Sequence, residues 1–109
     1  MTQEESRFVE LEELANSYAQ AQAQVEFLSE FRKSKKALLM KEAEVKGVKT
    51  AAIQERDAYA HTEYIELLKG LKAATELALS GKWRLELARM RFEWARTKAA
   101  TRRAEMNLR

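Results

Sequence analysis

The sequence predicts an all-α protein: a long antiparallel helical hairpin or coiled coil with a short middle helix, built to oligomerise. Three observations predict it. In both halves of the chain, apolar residues recur at alternating steps of three and four, the spacing that lays one seam along a helix. The 109 residues contain no proline and only three glycines, with 46% hydrophobic and 34% charged residues, the balance of long solvated helices. Valine and isoleucine are sparse and nowhere alternate with polar residues over a useful length, so no strand competes. The length suits one domain, residues 1–109, with a helix over about 3–46, a short helix or loop over 48–61 and a long helix over about 63–105. At least two-thirds helix and no sheet are expected.

Thr2 and Glu5 have the spacing of a capping box, so the first helix starts near residue 3. Leu11, Leu14, Tyr18, Ala21, Val25 and Leu28 form its seam. The next apolar residues are Phe31, Leu38 and Val45, at sevens, which predicts that the seam shifts sideways beside Arg32-Lys33-Ser34-Lys35-Lys36. Gly47 is the first plausible terminator, because glycine adopts a left-handed C-cap at least cost. Residues 48–60 suit a short helix or a loop. Thr62 is a good N-cap for the last helix, with Glu63 and Glu66 in the first turn where the helix dipole favours negative charge. Gly70 and Gly81 each cost about 1 kcal/mol relative to alanine inside a helix, so each marks a kink, a break or a close helix contact.

The last helix carries the strongest pattern. Leu67, Leu71, Ala74, Ala78, Gly81, Leu85, Ala88, Phe92, Ala95 and Ala99 form a seam whose small residues allow a second helix to approach closely. With Leu85 and Phe92 as a positions, the e positions are Lys82, Arg89, Arg96 and Arg103 and the g positions Arg84, Arg91 and Lys98. All are basic, so a parallel dimer of this helix would oppose itself by like charge. Arg102 adds to the same basic end. Leu79, Trp83, Leu87, Met90 and Trp94 form a second apolar stripe, about 160° from the seam at 100° per residue. Two readings of that stripe stand: core or an oligomer interface, or a platform on which nucleic-acid bases stack while arginines hold phosphates.

The net charge of +3 conceals alternating blocks of about −6 over residues 1–31, +5 over 32–49, −2 over 50–81 and +6 over 82–109. An acidic start and a basic end favour antiparallel packing of the two, or an anionic partner for the basic end. Arg32, Lys33, Lys35 and Lys36 form a second basic cluster, either a solvated helix face or a salt-sensitive phosphate site. Catalysis has little support, since the chain lacks cysteine, has one histidine, His61, and carries no glycine-rich phosphate loop. Glu42 with Glu44, and Glu63 with Glu66, lack a partner that would make them metal ligands, so no metal or cofactor is expected. Apolar runs such as Ala37 to Met40 are far shorter than the eighteen or so residues that span a bilayer, and Thr2-Gln3-Glu4-Glu5 does not read as a secretory signal. A cytoplasmic protein with no membrane partner is expected.

Tyr18-Ala19 leading into Phe27-Leu28, Ser34 to Ala43, the tyrosine-containing stretch Asp57 to Tyr64 and the terminal helix from Leu79-Ser80-Gly81 to Phe92 follow one another in an order that resembles small phage recombination mediators of the UvsY type. The resemblance is one of layout and covers most of the chain. It implies an all-helical oligomer that binds single-stranded DNA, with contact by Lys35 and Lys36 and oligomerisation through the C-terminal helix. The Arg84 to Arg103 stretch departs from that layout. The expected function is a non-enzymatic accessory protein that binds single-stranded nucleic acid, or a recombination or replication assembly, as a homo-oligomer. The alternatives are a helical adaptor or inhibitor that binds a host or phage protein through the Trp83 and Trp94 face, and a purely structural coiled-coil subunit.

Overall fold

The computed structural model describes residues 2–108, which form three helices: α1 (Gln3–Val45), α2 (Ala51–Ala60) and α3 (Thr62–Asn107), with no strand among the described residues. The capping box forms as expected. The Glu5 amide donates to Thr2 Oγ1 at 3.1 Å, and the Thr2 amide donates to Glu5 Oε2 at 3.2 Å. At the other end of α1, Gly47 takes φ +105°, its amide bonds to the Glu44 carbonyl and the Val48 amide to the Ala43 carbonyl. These two bonds make a Schellman motif, which satisfies the last carbonyls and turns the chain into α2.

Residues 48–61, open between loop and helix in the sequence, resolve into α2 and two short joints. Gln54 is buried and donates from Nε2 to the Val48 carbonyl at 2.7 Å, tying the start of α2 to the preceding turn. The cap of α3 differs from expectation: His61, not Thr62, is the N-cap. Its backbone is extended (φ −68°, ψ 137°), and its Nδ1 accepts from the Glu63 amide at 3.0 Å. One non-helical residue separates α2 from α3, so that residue must take the extended conformation an N-cap needs, and Thr62 is already helical.

α1 and α3 pack antiparallel along most of their length. Phe8 meets Phe92 edge to face at 5.0 Å, and a Cβ placed on Gly81 would lie 3.4 Å from Tyr18 Cα. On α3, Ala74, Ala78 and Ala88 are buried, while Leu67, Leu71, Gly81, Leu85, Phe92 and Ala95 are half-buried. Ala99 is exposed, so the covered seam stops one step earlier than expected. Its α1 counterparts Leu11, Leu14, Tyr18, Ala21, Val25 and Leu28 are all half-buried, as their spacing predicts.

Beyond Leu28 the expected sideways shift does not occur. Phe31, Leu38 and Val45 are exposed, and the seam instead runs on through half-buried Arg32 and Lys35 to buried Leu39. Steps of four, three and four are preserved, because the aliphatic stems of Arg32 and Lys35 lie in seam positions while their charged heads reach out. Leu39 then packs with Ala58 and Tyr64, with Met40 against them, where all three helices meet. The molecule measures 87 × 22 × 15 Å, a rod two helices wide and one layer thick. That thickness leaves no large side chain fully enclosed among the described residues.

α3 runs unbroken through both its glycines, and they differ in kind. Gly81 faces Tyr18 at close range, whereas Gly70 faces open space. Gly70→Ala should therefore stabilise the protein by about 1 kcal/mol, while Gly81→Leu should destabilise it by about 1–3 kcal/mol through overpacking against α1. Urea midpoints followed by circular dichroism check both, and equal effects of the two substitutions would contradict the packing described.

Candidate nucleic-acid interface

The two basic regions have opposite electrostatic settings. In the first, Lys35 Nζ lies 3.0 Å from Glu63 Oε2 and Lys36 Nζ 3.1 Å from Glu55 Oε1. The Lys36 ammonium also sits 4.8 Å from the centroid of the Tyr59 ring. These contacts join α1 to α2 and to the first turn of α3, so both lysines brace the three-helix joint. Hydrogen bonds to Tyr59 and to Glu55 raise the Lys36 pKa above its ordinary value. The hydrogen bond from Lys35 lowers that of Glu63. Lys33 reaches only Glu30, at 3.4 Å on an exposed turn, and Arg32 has no carboxylate within 4.0 Å among the described residues.

In the second region no cation is held in an ion pair among the described residues. Lys82, Arg84, Arg89, Arg91, Arg96, Lys98, Arg102 and Arg103 are all exposed, and none has a carboxylate within 4.0 Å among the described residues. Helical periodicity sorts them into two strips. Arg84, Arg91, Lys98 and Arg102 border the outer apolar stripe, and Lys82, Arg89, Arg96 and Arg103 border the other flank of the seam. Lys98 Nζ lies 4.8 Å from the Trp94 ring centroid, and the Arg96 guanidinium 5.9 Å from that of Phe92.

The outer stripe does not pack against α1. Leu79, Trp83, Leu87, Met90 and Trp94 are 53%, 60%, 49%, 63% and 66% exposed, so the reading of the tryptophans as core against the first helix is overturned within the chain. The physical reason is periodicity: α1 occupies the small-residue seam, and the stripe about 160° away then points outward. The acidic half of α1 lies alongside the basic half of α3, as the charge blocks predict, with Glu4 beside Arg96 and Arg103, and Glu10 beside Arg91. Their attraction is that of neighbouring fields without contact pairs.

Two groupings are not legible in the sequence. Arg32, Lys33 and Lys36 from α1 meet Tyr59 and Tyr64 around one cleft. Glu42, His61 and Glu63 bring ligand-type atoms within 4.8 Å of one another, although the sequence pairs those carboxylates with Glu44 and Glu66. In that trio, Glu63 is held by Lys35, Glu42 accepts from Lys46 at 3.1 Å, and His61 Nδ1 is committed to the Glu63 amide. Its acceptor pairs thus cap a helix and hold ammonium groups. Among the described residues no helix is long and apolar enough to cross a membrane. No family model matches the chain, and neither a curated protein nor a solved structure matches it.

The Lys35–Glu63 pair has a pH signature. A carboxylate whose pKa is lowered by folding stabilises the fold above its unfolded value, and that contribution is lost as pH falls through the folded value. The melting temperature should therefore fall as pH drops below about 4.3, the ordinary value for glutamate. Glu63→Gln should make that acid slope shallower in thermal melts, and an unchanged slope would mean that the pair does not stabilise the fold.

Proposed function

We propose that the protein is a non-enzymatic accessory factor that binds single-stranded nucleic acid along the C-terminal half of α3. The observation that carries this reading is the coincidence, on one exposed helix face, of two tryptophans with cations that have no carboxylate partner among the described residues. Arg84, Arg91, Lys98 and Arg102 hold phosphates, and Trp83 and Trp94 offer rings to unstacked bases, a combination that tolerates any sequence. Lys35 and Lys36 serve the joint, so the main contact moves from the cluster that the UvsY-type resemblance implies to α3. That resemblance supplies the setting of the proposal, a phage recombination or replication assembly.

A second reading is favoured by the surface area. The chain exposes 8688 Å², about 40% above the roughly 6,200 Å² that scaling predicts for a compact monomer of 12.6 kDa. In this reading the stripe seals against protein, a second copy first. The outer face of α1 suits it: exposed Ala15, Ala19 and Ala23 leave room for tryptophan, and exposed Glu12, Glu26 and Glu30 oppose arginine.

Fluorescence anisotropy of a labelled oligothymidylate at several salt concentrations tests the first reading. Each phosphate contact contributes about 0.7 to the log–log salt slope, so Arg84→Gln/Arg91→Gln/Lys98→Gln should flatten it by about 2 with helix content intact. Oligonucleotide binding should also quench tryptophan emission. Absence of binding at low salt would end the nucleic-acid reading. In the second reading, Trp83→Glu/Trp94→Glu lowers the mass seen by light scattering, and a wild-type monomer at micromolar concentration would contradict it.

A further inference from the structure

The α3 reading leaves unused the cleft at the opposite end of the rod, where α1 faces the joint between α2 and α3. It is open to solvent and offers about 530 Å³, within the range of small-molecule sites. Its floor is apolar, with Met40 packed against the Leu39, Ala58 and Tyr64 cluster. Its rim carries three cations, of which Lys36 is held by Glu55 and Tyr59, Lys33 weakly by Glu30, and Arg32 by no carboxylate among the described residues. Arg32 is half-buried, lines the cleft and has no carboxylate within 4.0 Å among the described residues, so its guanidinium donors have no anionic partner. Lys33 is held only by Glu30 at 3.4 Å, with both side chains mostly exposed, a pair that contributes little and releases the ammonium readily.

The tyrosines point the same way. Tyr64 is 6% exposed, and its hydroxyl makes no hydrogen bond among the described residues. No buried side-chain polar atom among them lacks a partner, so this hydroxyl reaches solvent, and Tyr64 is one of the residues that line the cleft. Tyr59 packs edge to face with Tyr64 at 5.3 Å and carries the Lys36 ammonium, which fixes its ring in the cleft wall. A guanidinium fork, an ammonium group, a free phenol and an apolar, aromatic wall suit a phosphate joined through a sugar to a planar base.

We propose that this cleft binds a nucleoside phosphate, with Arg32, Lys33 and the Tyr64 hydroxyl on the phosphate and the ring between Met40 and Tyr59. The ligand is either a free mononucleotide or the phosphorylated end of a strand, which share this chemistry. The site is independent of the basic half of α3, about 30 Å away along the helix by its rise per residue.

Isothermal titration of the full chain with adenosine monophosphate at low salt tests the proposal. Saturable binding should weaken about tenfold in Arg32→Gln, the loss of one charge-assisted contact, and a few-fold in Tyr64→Phe. It should be unchanged in Arg84→Gln/Arg91→Gln/Lys98→Gln, so that failure here is separable from failure of the α3 reading. Circular dichroism confirms that each variant is folded. Should Arg32→Gln lose helix, Tyr64→Phe and competition by inorganic phosphate decide. In the triple variant, a 5′-phosphorylated oligothymidylate that competes better than its 5′-hydroxyl counterpart assigns the site to a strand end, and equal competition assigns it to the free nucleotide. No saturable binding of either ligand, or undiminished affinity in both Arg32→Gln and Tyr64→Phe, overturns the proposal.

Discussion

The approach of α1 to α3 over the small residues Ala74, Ala78, Gly81 and Ala88 governs the architecture and the surface it presents. At Gly81 a single added carbon would lie 3.4 Å from the backbone of Tyr18, so there the helices are held about as close as side chains permit. That contact chooses which of the two apolar faces of α3 becomes the inside. Once the small-residue face is sealed, the 3.6-residue period places Trp83 and Trp94 on the opposite side with no freedom to choose otherwise. Phe8 on Phe92 continues the same register toward one end of the rod, and α2 closes the other end over Leu39.

Charge obeys the same division. Where three helices converge, Lys35 and Lys36 have carboxylates from α2 and α3 within reach, and their charges hold the joint. Toward the free end only two helices run side by side, and the arginines of α3 make no ion pair within 4.0 Å with the glutamates of α1 among the described residues. One set of cations is therefore paired at the joint and another is left available. Surface pairs contribute little to stability, so this division costs the fold little.

Much of the architecture is legible in the sequence, because it rests on periodicity and caps. Thr2 with Glu5, Gly47 and the α3 seam as far as Ala95 behave as their spacing and residue type dictate. Beyond Leu28 the apolar pattern misleads, because seam and apolar are not the same thing. Arg32 and Lys35 occupy seam positions with their stems, which no hydropathy pattern reveals. His61 as a cap is hidden for a related reason: a residue caps by its backbone conformation, and that is decided by how tightly α2 turns into α3. Of the candidate site, the exposed Trp and Arg strips on α3 follow from the helical wheel. The cleft between Arg32 and Tyr64 does not, since its walls are brought together only by the chain's return through α2.

α1 thus lies on the small-residue seam of α3, in a register that leaves the tryptophan face outward. The chain contains no cysteine, which permits a direct measurement of that register. In Tyr18→Cys/Gly81→Cys the two Cβ positions would lie 3.5 Å apart, within reach of a disulfide at the short end of its range. Mild oxidation at low concentration should give one intramolecular disulfide, seen as a monomer of increased mobility on a non-reducing gel with full helix content. Exclusively intermolecular bridges, or two thiols that remain free while the protein stays helical, would contradict the register and with it the exposed face.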